Sequence, residues 1–231
     1  MKMIISPAKS LNFNRNLPTE KKTIPFFQSE ANKINKILRK SSPIEISYLM
    51  NISENLANLN WERNQNFSSS AKPSNSGPAA YVFNGDVYSG IDVYSLSNEK
   101  IEKMQNSLRI LSGLYGILKP LDLIQPYRLE MGTNLKIDNK KNLYQFWSDR
   151  LTNFLNKELI PDELFINLAS NEYFSAINYK LLNTNVITPQ FKDFKNGKLK
   201  VISFFAKKAR GMMVRYLLDL NKVSEESFLK F

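Results

Sequence analysis

Read for hydrophobic and polar positions, the chain mixes short buried strands with amphipathic helices. Met3-Ile4-Ile5 is an apolar run stopped by Ser6-Pro7, which predicts a buried strand. From Pro25 to Lys40 the apolar residues Phe27, Ile34, Ile37 and Leu38 stand among polar ones at helical spacing. Ser42-Pro43-Ile44-Glu45 predicts a helix start, with Ser42 as cap, Pro43 at the first helical position and Glu45 closing a capping box. A further helix is expected from Ser53 past Trp61, and a loop over Ser68–Pro78 by composition. Beyond it, Ala80–Phe83 reads as a strand, Ser97–Asn106 as a helix, and Leu108–Leu111 as a strand or a helix end. Tyr144–Leu159 has a helical pattern and Leu164–Leu168 reads as a buried strand. Two β-prone runs, Val186–Phe194 and Leu199–Phe205, flank Asn196-Gly197 and predict a hairpin. A closing helix is expected over Ala206–Leu220. Strands and helices mix without strict βαβ alternation and no repeat is visible. The expected fold is therefore mixed α/β (α+β), one domain over residues 1–231 with a mixed sheet.

Composition narrows the chemistry. The chain contains no Cys and no His. That excludes thiol peroxidase chemistry, disulfides and imidazole-based triads. Zinc, haem and iron–sulfur centres lose their preferred ligands, so only a hard all-oxygen metal site is conceivable. No metal site and no cofactor are assigned. Lys and Arg number 32 against 21 Asp and Glu, a formal charge of +11, which favours polyanionic partners and DNA first. The apolar run at the N-terminus is too short for a signal peptide, and no stretch has the length of a membrane helix. A cytoplasmic protein without a membrane partner is expected.

Four segments could carry chemistry. Between Lys192 and Arg215 there are eight basic residues and one acid, Asp193. On a helix, Lys207, Lys208, Arg210 and Arg215 share one arc, with Phe205, Met212, Met213, Tyr216, Leu217 and Leu220 on the other. That arc is either a phosphate-contacting face or a solvated one. Phe204 and Phe205 suit base stacking, with at least one of them expected in the core. In Leu111-Ser112-Gly113-Leu114-Tyr115-Gly116-Ile117, Gly113 and Gly116 have the spacing of the hairpin in helix-hairpin-helix motifs. The glycines permit positive φ and close backbone approach, which suits either a phosphate-binding hairpin or an ordinary tight turn. Lys119, just beyond, joins the phosphate-binding candidates. Asp86, in Asn84–Gly90, and Arg128 and Glu130, in Pro126–Gly132, sit in turns that suit acid–base or anion-binding groups, or a local salt bridge. Lys9 adds a cation after the first strand. The strand ending at Leu168 delivers Ser170, Asn171 and Glu172 to its C-terminal end, where open α/β sheets bind ligands. A helix cap at Ser170 or Asn171 is the other reading.

Taken together, Ile5–Leu11, Phe83–Gly90, Leu111–Gly132, Leu143–Trp147, Ile166–Phe174 and Ser203–Gly211 closely resemble the YaaA family of bacterial peroxide-stress proteins, in the family's order. The resemblance implies a cytoplasmic protein that lowers unincorporated iron during hydrogen peroxide stress and so limits Fenton damage to DNA. It also implies a positively charged cleft, a helix-hairpin-helix-like element and DNA binding. Without Cys or His the chain is expected to be neither a peroxidase nor a soft-ligand iron store. Two functions stand: a non-enzymatic DNA-binding factor using Lys207, Lys208, Arg210, Arg215 and the Gly113–Gly116 turn, or an enzyme on a nucleotide or nucleobase-like substrate with Lys9, Asp86, Arg128, Glu130 and Glu172 lining the cleft. Convergent carboxylates in a closed pocket favour the enzyme, and an open basic groove favours DNA.

Overall fold

The computed structural model describes all residues of the chain except Arg15, Pro73 and Asn196, and leaves out the side chain of Lys195. Its centre is a five-stranded sheet of β1 (Lys2–Ile5), β5 (Leu108–Ser112), β6 (Gly116–Leu118), β8 (Phe165–Leu168) and β9 (Val186–Ile187), in the order β6-β5-β1-β8-β9. β1 runs parallel to β5 and β8, β8 runs parallel to β9, and β6 alone is antiparallel. The sheet is mixed, as the pattern predicted. Three two-stranded pairs lie outside it: β2 (Ser10–Leu11) with β4 (Phe83–Asn84), β3 (Gly77–Pro78) with β7 (Leu123–Ile124), and β10 (Asp193–Lys195) with β11 (Lys198–Lys200).

Helices cover the sheet. α1 (Gln28–Leu38), α2 (Pro43–Met50) and α3 (Glu54–Asn66) precede the one-turn α4 (Ala79–Val82) and the short α5 (Asp86–Ile91). Then come α6 (Asn98–Ser107), α7 (Leu143–Glu158), the one-turn α8 (Asn171–Phe174) and α9 (Ser203–Asp219). The capping box at Ser42 forms as expected: Glu45 N donates to Ser42 Oγ at 3.3 Å and Ser42 N donates to Glu45 Oε2 at 2.7 Å. Met3, Ile4 and Ile5 are fully buried in the central strand, so an uninterrupted apolar run suits a strand covered on both faces.

The strand expected over Ala80–Phe83 is corrected. Ala79–Val82 makes one helical turn, and only Phe83–Asn84 is extended. All four residues of the turn are buried, and such short apolar runs carry no period to tell helix from strand. The hairpin is corrected in extent. Its strands are three residues each, Val186–Ile187 joins the main sheet instead, and Ser203-Phe204-Phe205 opens α9. Asn196 of the expected turn lies outside the described residues, and Gly197 has φ of +73°.

The Gly113–Gly116 turn is flanked by strands β5 and β6, where a helix-hairpin-helix-like element requires helices. Both glycines are buried. Trp147 of α7 closes over them, its Nε1 donating to Gly113 O at 2.9 Å. A Cβ on Gly116 would meet the Trp147 ring at 2.6 Å, and its φ of +69° is in the left-handed region. The two glycines thus serve a tight turn packed in the core.

Candidate functional site

The C-terminal ends of β1 and β8 meet at one cavity of about 300 Å³. Ser6-Pro7-Ala8-Lys9-Ser10 leaves β1 along one wall, Asn84–Tyr88 forms a second, and Ser170, Glu172 and Tyr173 a third. Lys207 and Arg210 of α9 complete the lining. The strand ends are stitched together at the floor. Ser170 N donates to Ser6 Oγ at 2.9 Å, and Ser6 Oγ donates to Ser170 Oγ at 3.2 Å. The Tyr88 hydroxyl donates to Ser6 O at 3.1 Å. A cavity at this edge of a parallel sheet is where α/β proteins place ligands.

α5 and α9 hold the cationic and acidic walls together. At their crossing, a Cβ on Gly211 would fall 1.9 Å from Val87 O, and one on Gly90 would fall 2.4 Å from Lys208 O. Two glycines let the backbones touch, which brings Asp86 at the start of α5 to the same cavity as Lys207 and Arg210.

The charges divide into paired and unpaired groups. Lys9 bonds Glu130 at 2.7 Å, and Arg128 Nη2 donates to the other Glu130 oxygen at 3.0 Å. Partial burial raises the Glu130 pKa, but Lys9 and Arg128 together outweigh it and hold the carboxyl below its usual range. Gly132 N donates to Glu172 Oε1 at 3.1 Å. By contrast, among the described residues the side chains of Asp86, Lys207 and Arg210 make no hydrogen bond or ion pair. Burial lowers the Arg210 pKa without bringing a counter-ion to it. The walls also include Tyr88 and Tyr173, each 7% exposed. Burial first, then neighbouring phenols, pushes both well above the usual tyrosine range; Glu172 and Glu130 add to the rise at Tyr173. These phenols stay protonated, and Tyr88 spends its proton on Ser6 O.

The structure thus gathers Lys9, Asp86, Glu172, Lys207 and Arg210 around one cavity, with Glu130 and Arg128 reaching it through Lys9. Its lining carries three cations and two carboxylates, a mixed set. Other candidates lie elsewhere. Arg215 turns to the body of the protein, donating through Nη1 to Ile91 O at 3.0 Å and Ser95 Oγ at 2.8 Å, with Asp92 at 3.7 Å. Lys119 follows antiparallel β6 and so sits toward the opposite end of the sheet, 3.6 Å from Glu158. Lys208 lies on the outer face of α9. There the expected apolar arc is corrected too. Ala206, Met213, Val214, Leu217 and Leu218 are buried, whereas Phe204, Phe205 and Met212 are 57%, 53% and 49% exposed. Neither phenylalanine joins the core, because they fall in a helix facing outward and not in a strand. The sequence reading passed over Tyr88, Tyr173 and Ser6 as site residues; Tyr88 and Tyr173 stand two residues after Asp86 and one after Glu172. Among the described residues no group of three or more acidic side chains converges to hold a metal ion. No helix among them is long and apolar enough to cross a membrane.

A family model described as "Peroxide stress protein YaaA" matches residues 1–231. A UPF0246 protein of Flavobacterium johnsoniae is 59% identical over 221 residues, covering 96% of this chain and 88% of that protein. Another from Flavobacterium psychrophilum is 59% identical over 219 residues, covering 95% and 87%. A UPF0246 protein of Shewanella piezotolerans is 49% identical over 233 residues, covering all of this chain and 91% of its own length.

Proposed function

The chain belongs to the peroxide stress protein YaaA family, and from that premise we propose that it binds DNA through the outer face of α9 and the β10–β11 hairpin, and so limits oxidative damage there. The observation that carries this reading is the exposure of Phe204 and Phe205 on the same helix face as Lys208. Residues three and four apart on a helix are neighbours, so Phe204 and Phe205 both flank Lys208. Two exposed rings, edge-on to each other at 5.7 Å, beside an exposed cation suit an unstacked base and its phosphate. The hairpin precedes α9 by two residues and adds basic side chains next to it in the chain. Lys198 and Lys200 lie on one of its faces, with Asp193 directly opposite Lys200, Phe194 and Leu199 lie on the other, and Phe194 is 70% exposed. With no thiol or imidazole to hold iron or consume peroxide, protection works at the DNA, and unincorporated iron is lowered indirectly.

Salt-dependent binding tests this. On duplex DNA each lost phosphate contact flattens the log K versus log salt slope by about 0.9. Lys200→Gln with Lys208→Gln is expected to flatten it by nearly 2, without changing sequence preference, because phosphate contacts position and do not specify. Phe204→Ala with Phe205→Ala is expected to weaken binding to single-stranded or bubbled DNA by about 1–3 kcal/mol per stacked base, and to fully paired duplex much less. An unchanged slope in the lysine double variant assigns the surface to solvent and refutes the reading.

A further inference from the structure

We infer that the cavity at the ends of β1 and β8 binds one nucleoside monophosphate unit, with Lys207 and Arg210 on its phosphate and Asp86 and Glu172 on the N–H and O–H groups of its base or sugar. The inference stands on the cavity itself and does not require the DNA surface of α9.

The charge pattern selects the ligand class. Two cations from one helix turn, Lys207 and Arg210, face the cavity with no protein counter-ion of their own among the described residues. Arg210 is half-buried, and a guanidinium there is stabilised by an anion such as phosphate, which its fork of donors can grip with two bonds. Asp86 is likewise half-buried and without a partner, and Glu172 keeps one oxygen free after accepting from Gly132 N. Bare phosphate would be repelled by these carboxylates, and a cation would be repelled by the pair on α9. A ligand that is anionic at one end and rich in hydrogen-bond donors at the other satisfies both. Tyr88 and Tyr173 line the cavity beside the apolar Val87 and Leu168, a partly aromatic surface that suits a planar base. A volume of about 300 Å³ is at the small end of ligand sites and matches one nucleotide, not an oligomer. A Cβ at Gly85 would stand 3.1 Å from Ala8 Cβ, so the first two walls approach closely there.

The same unit reaches the cavity either as a free nucleotide or as the end residue of a strand, and the test separates them. Calorimetry on the full chain uses the individual nucleoside monophosphates, the matching nucleosides, ribose 5-phosphate, and a short single strand with or without a terminal base. At least one monophosphate, or the strand carrying a terminal base, is expected to saturate a single site. Its nucleoside and ribose 5-phosphate, or the strand lacking the terminal base, are expected to bind at least about tenfold more weakly, a factor worth about 1.4 kcal/mol. Arg210→Gln is expected to cost about tenfold and Arg210→Lys to recover part of that loss, since lysine restores the charge but not the second bond, which separates lost charge from lost folding. Asp86→Asn is expected to reorder the preference among bases with little effect on ribose 5-phosphate. Failure of every monophosphate and strand end to bind below about 1 mM overturns the inference, as does unchanged affinity in Arg210→Gln. A DNA salt slope that survives Arg210→Gln but not Lys200→Gln with Lys208→Gln shows that cavity and surface are separate sites, so either reading can fail alone.

Discussion

Replacing Gly211 by Ala probes the contact on which the cavity depends. The new Cβ would lie 1.9 Å from Val87 O, 2.8 Å from Val87 C and 2.9 Å from Gly90 Cα. Ordinary contact begins near 3.4 Å, so α5 and α9 must part by about 1.5 Å at this point. Every obstructing atom belongs to backbone, so no side chain can rotate away. Overpacking of this kind costs about 1–3 kcal/mol, and occasionally more. Alanine returns about 1 kcal/mol through its better helix propensity. Because only backbone obstructs the new Cβ, the cost is expected at the top of that range, about 3 kcal/mol, which leaves a net loss of about 2 kcal/mol. With a urea slope of about 2–3 kcal/mol/M for a chain of this size, the midpoint falls by about 0.7–1 M. Equilibrium urea unfolding, followed by far-ultraviolet circular dichroism and by the fluorescence of Trp61 and Trp147, measures it. Asp86 rides on α5 while Lys207 and Arg210 ride on α9, so nucleotide affinity is expected to fall in the fraction that remains folded. A midpoint that is unchanged or raised, as propensity alone dictates, would refute the close crossing and with it the geometry of the cavity.

Three further perturbations test the frame around the site. Arg109 is 2% exposed and grips Glu158 with two bonds of 2.6 and 2.8 Å; Glu158→Gln leaves a buried guanidinium without its counter-ion and is expected to cost about 3–5 kcal/mol by thermal unfolding. Partial burial raises the Glu158 pKa, but Arg109 above all, with Lys119 and Lys2, outweighs it and lowers the pKa overall. Its stabilising contribution is therefore full above the ordinary carboxylate range near 4.5 and is lost as pH falls through the lowered folded value, so wild type is expected to lose its advantage over Glu158→Gln progressively below about pH 5. Arg215→Ala removes the ties to Ile91 O and Ser95 Oγ and is expected to lower stability by about 1–3 kcal/mol while leaving the DNA salt slope unaltered; a flatter slope would return Arg215 to the phosphate surface. Trp147→Phe deletes the donor to the buried Gly113 carbonyl and is expected to cost about 1–3 kcal/mol, read from the urea midpoint, with a null effect showing that the carbonyl finds another partner.

The local pattern was sufficient wherever an element's residues interact chiefly with one another or with one featureless apolar environment. Met3–Ile5 is a strand because it is apolar throughout and halted by Ser6-Pro7. Ser42 caps a helix because its partner Glu45 stands three residues on. The absence of Cys and His by itself excludes whole classes of chemistry. The residue types at the site were legible as well: Lys9, Asp86 and Glu172 stand in turns and at a strand end, where a scaffold can present them.

What only the tertiary structure decided is which of these groups share a cavity and which are spent elsewhere. Arg215 and Arg210 lie on the same helix, yet one is taken up by carbonyls of the Ile91–Asp92 turn and the other is left facing an open cavity. Spacing along a helix carries no record of what the neighbouring element offers. Gly113 and Gly116 have a spacing that two folds can use, and the choice fell to Trp147, distant in sequence, whose ring fills the space above them. Phe204 and Phe205 looked like strand residues because β-prone side chains precede them, but tertiary packing carries α9 one turn farther back and leaves both rings in solvent. The unpaired state of Asp86, Lys207 and Arg210 is invisible in sequence for the same reason. Charge is a property of a residue, whereas the presence or absence of a partner is a property of the pairs that long-range packing creates.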